Sequence, residues 1–154
     1  MKKVITICIG FLLIGSTAVY AQDMGDLTID QLYEKARTAA FDAGDYETAR
    51  RYAYEALDRS PNYHGIRIFV ARLYSWESNY EKAEEELDYV LDNDPQNRRA
   101  LIALVDNQKW SGQMDAALEV ANRALQYYPG DIEFMLVKAS VLYGMENYEE
   151  AEQT

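Results

Sequence analysis

The chain is poor in the residues that most active-site chemistry needs. Its 154 residues hold one cysteine, one histidine and three prolines. Cys8 lies in an apolar run near the start, so one thiol can form no internal disulfide and no cysteine-based metal site. His64 stands alone, which removes any His-x-x-x-His metal spacing and any paired-histidine site, and there is no glycine-rich phosphate loop. A catalytic centre needs a nucleophile or an acid–base pair with oriented partners, and none is legible, so the expectation is a protein without enzymatic activity, cofactor or metal. Positive charge is scarce too. Fifteen Lys and Arg stand against 26 Asp and Glu, a net charge of −11. Nucleic-acid binding would require a basic footprint, and this balance argues against it. Residues 22–154 show no alternating strands with aromatic girdles, so no membrane barrel is encoded there.

Long apolar runs are missing everywhere except the first 21 residues. Lys2-Lys3 is a short basic head, Val4 to Ile14 is almost wholly apolar, and Val19-Tyr20-Ala21 ends on a small residue. This is the three-part layout of a secretory signal peptide, with cleavage expected after Ala21. The alternative is an uncleaved anchor, for which Val4–Ala21 is only marginally long. A lipoprotein leader would need its cysteine at the end of the run, not at Cys8 in its middle. Loss of 1–21 removes Lys2 and Lys3, leaving 13 basic against 26 acidic groups, a net charge of −13. The mature chain would then have no cysteine and would hold together by packing alone. The expected address is export to the periplasm, without insertion in the membrane after cleavage.

What the chain does have is a period. Gly44-Asp45-Tyr46-Glu47-Thr48-Ala49 returns as Ser78-Asn79-Tyr80-Glu81-Lys82-Ala83, as Gly112-Gln113-Met114-Asp115-Ala116-Ala117 and as Glu146-Asn147-Tyr148-Glu149-Glu150-Ala151, each 34 residues on. Pro61, Pro95 and Pro129 share the spacing. A fixed period of this size marks a stacked repeat array.

Within each period the residues read as two helices. Thr28 and Gln31 fit a capping box that starts a helix near Ile29. Leu32, Tyr33, Ala36, Ala39 and Ala40 form one apolar stripe. Gly44 can take the left-handed conformation that closes a helix, and Asp45 can cap the next. Pro61 ends that second helix, because the residue before proline is pushed out of the helical region. Later pairs are expected at about 64–77 with 80–92, 98–111 with 114–127, and 131–144 with a helix opening at Tyr148. Ala49, Ala83, Ala117 and Ala151 are small where helix B must cross helix A closely. Glu84-Glu85-Glu86 reads as a solvated convex face.

This combination resembles the tetratricopeptide repeat family, from Asp30 to Thr154. The tryptophan and glycine usual in that family's helix A are replaced by Tyr33 and Arg37 in the first unit and by Arg67 and Ala71 in the second. The resemblance implies an all-α fold, a helical-hairpin solenoid in which antiparallel helix pairs coil into a right-handed superhelix. The units are 30–63, 64–97, 98–131 and a truncated 132–154, preceded by a lead-in at 22–28. The truncation carries the expectation that the polypeptide belongs to something longer or is completed by a partner. Trp76 and Trp110, with the strings Ala71–Trp76 and Lys109–Gly112, also resemble the periplasmic repeat segment ahead of the barrel in YaiO-type outer-membrane proteins.

Solenoids bind on their concave side, which helix A lines. The register places Glu34, Thr38, Phe41 and Asp42 of the first unit there, then Ile68, Arg72, Ser75 and Trp76 of the second. The third contributes Ile102, Asp106, Lys109 and Trp110, and the fourth Leu136, Ser140 and Tyr143. Mixed aromatics and charges suit a peptide or a sugar, and the leading expectation is a protein or peptide segment. The alternatives are a glycan, as in an exopolysaccharide-export assembly, or docking to an outer-membrane barrel. Trp76 and Trp110 can equally be read as packing between units, and Arg72 with Asp106 as an ion pair between neighbours.

Overall fold

The computed structural model describes residues 24–154; the signal peptide read at 1–21 lies outside them. Eight helices run along the described chain: α1 (Ile29–Phe41), α2 (Tyr46–Arg59), α3 (His64–Trp76), α4 (Tyr80–Asn93), α5 (Arg98–Trp110), α6 (Met114–Tyr127), α7 (Ile132–Gly144) and α8 (Tyr148–Gln153). There is no strand among the described residues. None of these helices is long and apolar enough to cross a membrane.

The boundaries follow from the caps. The Thr28 hydroxyl accepts from the Gln31 amide at 3.2 Å, and Gln31 Oε1 accepts from the Thr28 amide at 2.9 Å. Asp45 and Asn97 each accept from the amide three residues on, opening α2 and α5. Between the helices of every unit one residue takes a positive φ: Gly44 at 66°, Ser78 at 61°, Gly112 at 81° and Glu146 at 62°. After α3, α5 and α7 the next amide reaches back five residues, Asn79 to Tyr74, Gln113 to Gln108 and Asn147 to Leu142, at 2.8–2.9 Å. That bond satisfies a carbonyl the helix end would otherwise leave open.

Antiparallel hairpins α1–α2, α3–α4 and α5–α6 stack in order, and α3 touches α5 as α5 touches α7. Ala49, Ala83 and Ala117 are fully buried at the crossings, as their size requires. The first hairpin is closed by alanines (Ala36, Ala40, Ala49, Ala53, Ala56), whereas Leu87, Leu101, Leu104, Val105 and Phe134 fill the later seams. Tyr74 borders both clusters and makes the core continuous. The lead-in is docked as well: Met24 is buried, and Arg59 donates to the Met24 and Leu27 carbonyls at 2.8 and 2.6 Å.

Polar clamps join the units. Glu86 on α4 accepts from Arg67 on α3 and from the Tyr54 hydroxyl on α2, each at 2.6 Å. Glu84 accepts from Gln108 on α5 at 3.1 Å. The acidic run 84–86 is therefore not a wholly solvated face; only Glu85 points clear, because Glu84 is held toward α5 and Glu86 toward α2 and α3. Burial, Glu86 and Tyr74 together push the Tyr54 hydroxyl above its ordinary pKa.

Candidate partner groove

The helix A residues at the same place in each unit form rows, and the structure divides them. Phe41, Ile68, Arg72 and Trp76 meet between α1 and α3, around a pocket of about 350 Å³. Glu34, Thr38 and Asp42 do not join them. They line a separate cavity of about 660 Å³ on the outer side of α1, with Leu27, Ala39 and Tyr52. The first unit has no earlier hairpin among the described residues against which that side of α1 could pack.

Two expected groove residues are corrected. Ile68 is buried and forms floor, not surface, because it joins the core that α3 shares with α4 and α5. Ser75 is buried too, and its hydroxyl donates to Asn107 Oδ1 at 2.7 Å. Asn107, fully buried, donates through Nδ2 to the Tyr80 carbonyl at 3.0 Å. That link ties α3, α4 and α5 together and leaves neither residue free for a ligand.

The aromatics pack on their neighbours and stay partly open to water. Trp76 packs on Phe41 and Tyr46, with ring centres 5.8 Å away in each case, yet keeps a third of its surface exposed. Trp110 is about half exposed. In the fourth unit Gly144 holds the tryptophan position, and the Met114 side chain lies against it. Leu136 and Tyr143 are open to solvent, with Tyr143 edge-on to Tyr148 at 5.1 Å.

The charges are arranged differently from the sequence expectation. Arg72 and Asp106 make no contact within ion-pair distance; they act on each other only through space. Burial raises the Asp106 pKa, against the pull of Arg72 and then Lys109. Lys109 instead donates to the Ser140 hydroxyl at 2.8 Å, and Ile102 is half-buried against the core. The register also missed contributors to the α1–α3 pocket. Arg37, where the family has a glycine, and Arg99, from the first turn of α5, both line it. Arg99 Nη1 comes within 3.7 Å of where a Cβ on Gly65 would stand, so it spans from α5 to the start of α3. The side-chain length that permits this is visible in sequence; the direction is not. No cluster of three or more metal-ligating side chains occurs among the described residues.

A helical-hairpin array with a continuous core and a recurring left-handed turn defines a class of interaction scaffold. The chain belongs to the tetratricopeptide repeat family, whose model matches residues 40–106 and 111–154. A tetratricopeptide repeat protein from Parabacteroides merdae shares the fold at TM-score 0.73 and 21% identity, covering 88% of this chain and 52% of that one. The present chain thus spans about half the length of that relative. MamA from Desulfovibrio magneticus RS-1 superposes at TM-score 0.67 with 19% identity, over 81% of this chain and 70% of its own. MamA AMB-1 follows at 0.61 and 19%, over 85% and 76%. Comparison with curated proteins gives no match.

Proposed function

We propose that the protein is an exported, non-enzymatic docking module that holds a segment of a partner protein along the helix A face. The observation that carries this is a line of side chains left half-open to water in successive units: Phe41 59%, Trp76 36%, Trp110 48% and Tyr143 67% exposed. Large rigid aromatics supply contact area at small entropic cost and recur as binding anchors. The family membership supports protein binding, and the leader read at residues 1–21 supports the periplasm as the address. The test is recovery of partners from periplasmic extract by the wild type and by a Trp76→Ala/Trp110→Ala variant of matched stability. Loss of a specific partner is expected; equal recovery of every partner would sink the reading.

A second reading rests on the same tryptophans. In register and open to water, Trp76 and Trp110 fit the periplasmic arm of a YaiO-type barrel protein or of an exopolysaccharide-export assembly, with a glycan across the rings. Titration of tryptophan fluorescence with neutral and anionic oligosaccharides separates the two. A saturable change lost in Trp110→Ala favours the glycan.

A further inference from the structure

We infer that the protein associates head to tail with a second copy of itself, the α7 face of one copy seating on the outer side of α1 of the next, with Tyr143 in the cavity there. The pattern for this contact recurs inside the chain. One place near the end of helix A, held by Phe41, Ser75, Lys109 and Tyr143, reaches the following helix A at each internal junction. Phe41 meets Phe69 and Trp76 at 6.1 and 5.8 Å. The Ser75 hydroxyl donates to Asn107 at 2.7 Å, and Lys109 donates to Ser140 at 2.8 Å. The residues of α1 that hold the places of Phe69, Trp76, Asn107 and Ser140 are Lys35, Asp42, Ala39 and Thr38. All four line the cavity of about 660 Å³ on the outer side of α1. The same register that stacks the units therefore sets Tyr143 of one copy into that cavity of another.

Both halves of the contact are open among the described residues. Ile68 is 2% exposed, whereas Leu136, at the same place on α7, is 65% exposed. Exposed Ile132 stands one turn before Leu136 and exposed Tyr143 two turns after, so the three form one stripe. The side chains of the two faces are matched in kind, which points to a second copy as the occupant. Ile132 holds the place of Arg98, which closes on Asp131 and Glu133 of the next unit. The residues that answer it on α1 are Ile29 and Gln31, so the charge is absent from both sides of the contact together. The cavity suits a tyrosine. Leu27, Ala39, Ala43 and Tyr52 give it apolar walls. Lys35 makes no ion pair among the described residues and lies 5.9 Å over the Tyr52 ring, so a second ring can sandwich its ammonium. Asp42 is exposed beside it and can accept from the phenol. Such a contact joins two different surfaces, so it repeats instead of closing on itself, and the helix A face of one copy runs on into the next.

Sedimentation equilibrium of the purified protein over about 5–500 µM reads the association, since a contact one hairpin wide sits at the small end of specific interfaces. The weight-average mass should rise with concentration and pass twice that of the monomer without levelling at the dimer. Tyr143→Asp spoils the stripe and Thr38→Arg fills the cavity. Both residues are exposed, so each variant should keep the fold, with circular dichroism and Tm as the check. Each variant alone should stay monomeric. Mixed in equal amounts they should form a heterodimer and nothing larger, because one intact stripe meets one intact cavity. A wild type that is monomeric at every concentration would overturn the second copy as occupant and leave the stripe to another helix. Mass that levels at the dimer, with no pairing in the mixture, would overturn the head-to-tail geometry in favour of a symmetric contact. Association that survives in both variants would place it elsewhere on the surface.

Discussion

Removing Glu86 should cost this array more than any surface charge it carries. The Arg67 and Glu86 side chains are 15% and 14% exposed, so neither is screened by bulk water. Glu86 accepts from Arg67 and from Tyr54 at 2.6 Å each, and Arg67 also donates to the Pro61 carbonyl at 3.2 Å and lies 3.8 Å over the Tyr89 ring. Glu86→Ala deletes two charge-assisted bonds and strands a half-buried guanidinium whose Nε already has no partner. Breaking a buried pair from one side costs about 3–5 kcal/mol. At roughly 3–5 °C per kcal/mol for a domain of this size, Tm should fall by about 10–20 °C. Tyr54→Phe keeps the ion pair and should cost about 1–2 kcal/mol. Arg67→Met with Glu86→Leu removes both charges together and should land within about 1 kcal/mol of the wild type. A urea-denaturation cycle over the singles and the double, followed by circular dichroism and tyrosine fluorescence, measures the coupling. Agreement of the two probes guards against one unit melting before the rest. The reasoning fails if Glu86→Ala lowers Tm by less than about 3 °C, or if the single effects simply add.

Three further outcomes follow from local geometry. Ser78 and Glu146 hold φ of 61° and 62° where the other two turns use glycine, so Ser78→Gly and Glu146→Gly should each stabilise by up to about 1 kcal/mol, while Gly112→Ala should destabilise by about 1–2; thermal denaturation reads all three, and loss of stability in both glycine variants would count against the strain. Arg98 holds the Asp131 carboxyl down at about 2 through hydrogen bonds, helped by the Phe134 and Glu133 amides and opposed by desolvation. A depressed carboxylate contributes stability above its unfolded pKa of about 4 and loses it as pH falls toward 2, so Arg98→Met should flatten that part of the acid limb; an unchanged acid profile would contradict the assignment. α8 buries none of its residues, and Ile132, Leu136 and Tyr143 are exposed on α7, so amide exchange should be fastest over 132–154; slow exchange there in a monomer would show that the segment is covered.

The 34-residue period made the architecture legible, because a hairpin that cannot bury its own apolar face must stack, and each cap and small residue recurs at a fixed place. The Thr28 box, the Asp45 cap, the left-handed Gly44 and the buried Ala49, Ala83 and Ala117 are all local events that sequence can report. The groove was legible only in part. A register treats every unit alike, whereas Ile68 is covered by the core that α4 and α5 build beside it and Ser75 by Asn107 of α5. Arg99 was invisible for a different reason. Its backbone belongs to one unit and its guanidinium lies against another, and a long flexible side chain carries no sequence mark of the direction it takes.

The buried Asn107 has a consequence for how such a chain can change. Its place is held by Ala39, Leu73 and Val141 in the other units, and the Ser75 that answers it is Phe41, Lys109 and Tyr143 elsewhere. The second and third units are therefore matched to each other as a lock is to its key. Recombination that removed the second unit would set Asn107 against Phe41, leaving its buried amide unmatched at about 1–3 kcal/mol. Duplicating the third would face it with Lys109. At this one seam, then, the loss or copying of a whole hairpin is not neutral, because it leaves a buried amide facing the wrong neighbour.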